Sequence, residues 1–129
     1  MPYDLDKLNR HCDALGFTAT RESVDALKVT IWDGVTLAFL NLVEESDTLI
    51  GFEGTQWHTH GNMILMLDQA NYVELSECEL LTGIKDGDIV VVERFVDSQL
   101  EDRWVAHKLE PFDIEYIEPG EELRIRRLR

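Results

Sequence analysis

Residues Leu27–Val43, with the sequence LKVTIWDGVTLAFLNLV, place two apolar runs on either side of Asp33-Gly34. An Asp-Gly pair suits the backbone of a two-residue turn, and it is a strong signal for a β-hairpin when strand-forming residues flank it. Leu27–Trp32 and Val35–Val43 are such flanks because β-branched and aromatic side chains are frequent in both. The sequence therefore predicts an antiparallel hairpin that belongs to a larger sheet.

Two helices are predicted, one at the start and one in the middle of the chain. Over Asp4–Leu15, apolar residues recur at helical spacing, and Gly16 ends the pattern. In the middle, Ser76 and Glu79 have the spacing of a capping box, in which each side chain accepts a hydrogen bond from a backbone N–H of the other residue. A short helix is therefore expected over about Glu77–Ile84.

A second hairpin is predicted where Asp88–Val96 and Leu100–Leu109 surround Asp97-Ser98-Gln99. Its first strand is apolar on both faces, which is typical of a strand in the middle of a sheet. Other expected elements are strands at Leu49–Phe52, Met63–Leu67 and Leu123–Leu128 and a helical turn at Pro111–Ile117. For Met63–Leu67, part of a short helix is the alternative to a strand. Together these elements predict an α+β fold in a single domain over residues 1–129, with a mostly antiparallel sheet of about five to seven strands.

The charge of the chain is strongly negative and unevenly distributed. The formal net charge is −14, and residues 29–84 contain nine carboxylates but no lysine or arginine. Such a field repels nucleic acid and anionic membrane surfaces, so neither is an expected partner. It favours a basic protein surface or a cation instead. No apolar run in the chain approaches the length that spans a bilayer.

Cysteine usage and the first residues favour a cytoplasmic protein. Cys12 and Cys78 lie far apart in the sequence without the spacing of a metal site. We expect one or both to be buried free thiols in a reducing compartment. The first six residues have neither the positive charge nor the apolar stretch of a signal peptide.

The candidate for metal chemistry is the segment Trp57-His58-Thr59-His60. In an extended segment, residues i and i+2 point to the same side, so the two imidazoles are able to share a metal ion. A His-x-His pair with a glycine before it and a later Gly87-Asp88 turn resembles the metal-binding edge of cupin barrels. This resemblance implies a small metal-dependent enzyme or sensor that uses His58 and His60. The chain departs from the cupin pattern at Ile64, where that pattern has glutamate, and the first expectation is a polar surface strand without metal or cofactor.

Other catalytic chemistry has little support in the sequence. The chain has no nucleophile elbow, phosphate-binding loop or dinucleotide fingerprint, so we expect no enzymatic activity. The acidic turns lack the alternating ligands of a calcium loop and are typical of a solvated surface. The arginines of the C-terminal segment are expected to pair with acidic residues of the same chain; they are Arg124, Arg126, Arg127 and Arg129.

The uncompensated negative charge of residues 29–84 and the aromatic residues together favour a protein that binds another protein. A basic protein partner would be attracted by the carboxylates and held by a few aromatic anchors. The residues expected to contact it are Trp32, Asp33, Glu44, Glu45, Asp47, Glu53 and Trp57. In character the chain resembles bacterial toxin-immunity proteins, which implies that it neutralises a basic toxin. The remaining alternative is an oligomer subunit or adaptor whose acidic surface only provides solubility.

Overall fold

The computed structural model describes residues 2–110 and 118–128, in which the chain forms two α-helices and ten strands. The helices are α1 (Leu5–Leu15) and α2 (Glu77–Asp86). The strands are β1 (Thr18–Ser23), β2 (Ala26–Trp32), β3 (Val35–Leu42), β4 (Asp47–Phe52), β5 (His58–Thr59), β6 (Met63–Met66), β7 (Tyr72–Leu75), β8 (Ile89–Val96), β9 (Gln99–His107) and β10 (Glu121–Arg126). The predicted α+β class with both helices is confirmed, and the described residues contain more strands than the five to seven expected.

The predicted hairpin at Asp33-Gly34 is the centre of a five-stranded antiparallel sheet. The strands follow the order β1-β2-β3-β4-β5. Trp32 pairs with Val35 across the turn, and Gly34 has the positive φ of 78° that this tight turn requires. Of the two outer strands, β1 was not predicted because its sequence is polar, whereas β5 coincides with the polar surface strand expected at His58.

A three-stranded sheet and a two-stranded sheet complete the strand pairing in the described residues. The three-stranded sheet has the order β10-β8-β9, so β8 is central as its apolar sequence predicts. Both faces of β8 are buried: Val91 belongs to the main core, and Val90 and Val92 form a second cluster with Ala106. β6 and β7 form the two-stranded sheet. The helical turn predicted at Pro111–Ile117 lies outside the described residues.

The end of α1 and the start of α2 follow the local signals read from the sequence. At the start of α1, Asp4 accepts a hydrogen bond from the Lys7 backbone N–H, and Gly16 ends the helix in a left-handed conformation. The capping box of α2 is confirmed, because Glu79 Oε1 accepts from the Ser76 N–H at 2.9 Å and Ser76 Oγ accepts from the Glu79 N–H at 3.2 Å. No helix in the described ranges has the length and apolar character needed to cross a bilayer.

The main core lies on one face of the five-stranded sheet. Side chains of β2, β3 and β4 pack there against both helices, against β6 and against β8 and β9; the fully buried members include Leu8, Leu27, Val29, Leu37, Phe39, Ile50, Leu80, Leu81 and Val91. Because strand residues alternate between faces, the remaining side chains of β2, β3 and β4 project from the opposite side. We call this opposite side, which neither helix covers, the outer face.

Candidate partner-binding surface

The outer face is a shallow groove because its central positions carry small side chains. The strand registers align Lys28, Ala38, Gly51 and His58 in one row across the sheet, and Ala26, Leu40 and Leu49 in a second row. The groove above these rows has a volume of about 500 Å³. Its floor is therefore apolar and uncharged, apart from Lys28.

The segment from Thr55 to His58 forms one wall of this groove and crosses the sheet directly beside Gly51. A Cβ atom at Gly51 would lie 3.0 Å from the Trp57 carbonyl oxygen and 3.2 Å from the His58 Cβ. Only glycine permits this close approach without a shift of the neighbouring backbone. The wall is fixed from its other side, where the Trp57 backbone N–H donates to Asp102 Oδ1 at 3.1 Å.

The predicted acidic residues lie in two groups near opposite ends of β4. Glu44 and Glu45 in the 3-10 turn Val43–Glu45, together with Asp47, precede and begin β4. Asp33 and Glu53 lie at the other end, where Glu53 follows β4. A six-residue strand spans about 20 Å, so the groups do not form one cluster. All five side chains are exposed.

Lys28 lies between two carboxylates on the outer face. Its Nζ is paired with Glu53 and lies 3.1 Å from Glu22 Oε1. The hydrogen bond to Glu53 and then the one to Glu22 raise the pKa of Lys28, which keeps the amine protonated. Two carboxylates and one ammonium leave a net negative charge here, so the outer face has no local excess of positive charge.

Trp32 lies in a different environment from the exposed hairpin tip that its position next to Asp33 predicts. It is half-buried against the main core, and the Arg126 guanidinium lies 4.4 Å from the ring centroid. Arg126 is also 3.8 Å from the buried carboxylate of Glu93. The prediction that C-terminal arginines pair within the chain is confirmed for Arg126 and for Arg124, which binds Glu122 at 3.1 Å. Trp32 is thus covered from within the chain.

Trp57 is half-buried and separates the groove from a second cleft. Its ring packs on Phe52, with ring centroids 6.0 Å apart. The second cleft has a volume of about 230 Å³ between the Trp57–Thr59 segment, β6 and Trp104. Glu110 also lines it, and burial raises the pKa of this carboxyl. Because Trp57 and His58 line both clefts, the groove and the second cleft adjoin along this segment.

An exposed apolar patch adjoins the second cleft, and sequence reasoning did not identify it. Ile64 and Met66 project from β6, opposite Glu74 and Tyr72 of β7, so the four side chains share one face. Ile64 is 58% exposed, Met66 41% and Tyr72 64%. In β6 the residues Met63–Met66 alternate between buried and exposed positions. The sequence does not reveal this alternation, because all four residues are apolar.

His58 and His60 are neighbours on the outer face, with ring centroids 5.1 Å apart. His58 Nδ1 lies 3.0 Å from the Gln56 carbonyl oxygen. His60 Nδ1 lies 2.6 Å from the Thr48 carbonyl oxygen and 3.1 Å from Asp47 Oδ2. Within residues 2–110 and 118–128, no group of three or more histidine, cysteine, aspartate or glutamate side chains has the geometry to hold a metal ion.

The two cysteines are poorly suited to nucleophilic chemistry. Burial raises the pKa of the Cys12 thiol to about 12. Partial burial, with the nearby charge of Glu77, also raises the pKa of Cys78. Cys78 lines a cleft of about 400 Å³ between the helices and β8, in which His11 Nε2 lies 2.8 Å from Thr82 Oγ1. Both thiols are therefore protonated at neutral pH, and a thiol is a weak nucleophile.

Comparison with known proteins identifies no relative. The chain matches no protein-family model, no curated protein and no solved structure. The geometry and charge of the outer face and its neighbouring patch are therefore the basis of the functional argument.

Proposed function

We propose that the protein binds and neutralises a basic protein partner through the outer face and the adjoining apolar patch. The observation that carries this proposal is an apolar surface bordered by carboxylates at both ends, in which Lys28 of the floor is paired with Glu53 and Glu22. Residues 29–84, which supply most of this surface, contain no lysine or arginine. Among known classes of protein, this character is closest to that of toxin-immunity proteins. The two free thiols favour a reducing, cytoplasmic environment.

The acidic residues have the arrangement that accelerates association with a basic surface. Glu44, Glu45 and Asp47 form one negative end, and Asp33 and Glu53 form the other. Opposed fields of this kind steer two proteins during encounter and act mainly on the association rate. A basic partner that contacts both ends would have to span the length of β4, about 20 Å.

The apolar residues between and beside the acidic groups supply the contacts that hold a complex together. Ile64, Met66 and Tyr72 expose a contiguous apolar face, and Trp57 lies at the junction of the two clefts. Exposed apolar patches with polar borders are typical of interfaces, and aromatic side chains carry much of the binding energy there. Tyr72 is therefore a better candidate than Trp32 for a principal aromatic anchor, since Arg126 already covers the Trp32 ring.

The proposal is tested by capturing basic proteins from the native host with matched charge-reversal variants. Glu44→Lys combined with Glu45→Lys reverses the net charge of the acidic group that also contains Asp47. Asp13→Lys combined with Asp86→Lys changes the net charge equally, on helices that pack against the opposite side of the sheet. We expect the first variant to lose the captured protein and the second to retain it. Equal retention by both variants, or equal loss, would show that the outer face has no specific role.

A second candidate function is that of an oligomer subunit, which the exposed patch also favours. In that case a second copy of the chain would cover Ile64, Met66 and Tyr72. Sedimentation velocity of the isolated protein distinguishes the two functions. A monomer leaves the patch free for a different protein and supports the partner-binding function. A stable oligomer that Ile64→Ser converts to a monomer would support the subunit function instead.

A further inference from the structure

Strand β5 and the residue after it present two imidazoles to solvent on the same side of the five-stranded sheet. His58 pairs with Gly51 of β4, whose position on the outer face is set by the strand register. His60 follows two residues later, and the 5.1 Å between the ring centroids places it beside His58. Both side chains are exposed. An external ligand therefore has access to both rings at once.

The hydrogen bonds of the two rings determine which nitrogen atoms are available. A carbonyl oxygen only accepts hydrogen bonds, so the Nδ1 atoms that contact the Gln56 and Thr48 carbonyl oxygens must carry the protons. In a neutral imidazole, the other nitrogen then has a free lone pair. The tautomer that these two contacts favour therefore leaves Nε2 of each ring free, and the backbone carbonyl groups orient the rings. Metal-binding histidines in proteins are commonly oriented in this way, by a carbonyl or carboxylate on the second ring nitrogen.

The separation of the rings fits a shared metal ion. A zinc–nitrogen bond of about 2.1 Å puts the centre of an imidazole roughly 3.2 Å from the metal, so two such rings at tetrahedral angles have centres about 5 Å apart. The observed separation is 5.1 Å. Asp47 Oδ2, 3.1 Å from His60 Nδ1, adds a carboxylate behind one ring, which increases the electron density that the ring offers to a metal.

We propose that Nε2 of His58 and Nε2 of His60 bind one divalent transition-metal cation such as Zn²⁺ or Ni²⁺. Imidazole nitrogen suits these ions, whereas Mg²⁺ and Ca²⁺ require oxygen ligands. The described residues place no third ligand at the site, so the remaining coordination positions are open to water. The bound ion is exchangeable and is not needed for folding. This inference is independent of the proposed partner and of any catalytic activity.

Isothermal titration calorimetry with Ni²⁺ and with Zn²⁺ tests the site on the full chain without a histidine tag. We expect one saturable site, and we expect His58→Gln and His60→Gln each to weaken binding by about tenfold or more. His107→Gln is the matched control, because His107 is remote from the outer face and its Nδ1 accepts a hydrogen bond from the Leu109 N–H. This control should bind as the wild type does.

Three results would overturn the inference. The first is the absence of saturable Ni²⁺ or Zn²⁺ binding in the wild type. The second is binding that His58→Gln and His60→Gln leave unchanged, or that Mg²⁺ matches, since carboxylates would then be the ligands. The third is a ¹⁵N NMR spectrum of the metal-free protein in which Nε2 of either ring carries the proton. Circular dichroism of each variant establishes that it is folded, and exposed histidines are tolerant positions for such changes.

Discussion

Removal of the Glu93 carboxylate should strongly destabilise the protein, because this carboxylate is the buried partner of Arg103. Glu93 Oε2 accepts hydrogen bonds from Arg103 Nε at 2.9 Å and Nη2 at 2.6 Å. The two side chains are only 6% and 8% exposed. Glu93→Leu would leave Arg103 buried with no counter-charge and with Arg126 nearby, whose Nη1 lies 3.8 Å from the lost carboxylate.

The expected loss in the free energy of unfolding is about 3–5 kcal/mol, the cost of leaving one member of a buried ion pair without its partner. The Phe52 ring, 5.8 Å from the Arg103 guanidinium, offers partial compensation, so we expect the lower end of that range. Arg103→Met should cost less, because Glu93 keeps Arg126 as a neighbour. The double variant Glu93→Leu with Arg103→Met should recover much of the loss, since it buries no uncompensated charge.

Urea denaturation followed by tryptophan fluorescence measures these differences. Glu122→Ala is the control, because the Arg124–Glu122 pair is exposed and should contribute little. If Glu93→Leu were no more destabilising than Glu122→Ala, the buried Glu93–Arg103 pair would not contribute to the stability of the fold. If the double variant were as unstable as the sum of the single variants, the argument from uncompensated charge would be refuted.

Three further predictions concern local structure. Ser76→Ala should lower stability by about 0.5–2 kcal/mol without affecting partner capture, and an unchanged denaturation midpoint would contradict the capping role. Gly51→Ala should cost about 1 kcal/mol, because the new Cβ pushes against the Trp57 carbonyl at 3.0 Å; increased stability in urea would show that the wall is free to move. The backbone hydrogen bond from Ser76 lowers the pKa of Glu79, so its stabilising effect is present above the unfolded pKa of about 4.3 and is lost as the pH falls below it. Glu79→Gln should therefore flatten the stability profile in that acidic range, and an identical profile would refute this.

Local signals in the sequence predicted the elements that depend on a few neighbouring residues. The capping box at Ser76 and the turn at Asp33-Gly34 form as expected because both ends of each interaction lie within four residues. The central position of β8 was also predictable, since a strand that is apolar on both faces must be covered on both faces. These features require no knowledge of the rest of the fold.

The features that escaped prediction depend on residues that are distant in sequence. Trp32 is covered by Arg126, which belongs to the last strand. The partial burial of Trp32 could therefore not be predicted from the residues next to it in the sequence. The five acidic residues expected to contact a partner lie in two groups at opposite ends of β4, an arrangement that their sequence order does not reveal. The proton positions of His58 and His60 follow from backbone carbonyl groups that only the folded chain places there. Side-chain identity alone contains none of this information.

Association kinetics test the central claim most directly, that the acidic outer face binds a basic protein. Stopped-flow mixing with the basic protein recovered by capture gives association and dissociation rates over a series of salt concentrations. For the wild type we expect fast association that slows as salt rises, because the screening length is only about 8 Å at physiological ionic strength. Glu44→Lys with Glu45→Lys should slow association and weaken this salt dependence, with less change in dissociation. Association rates that respond neither to charge reversal nor to salt would contradict the claim.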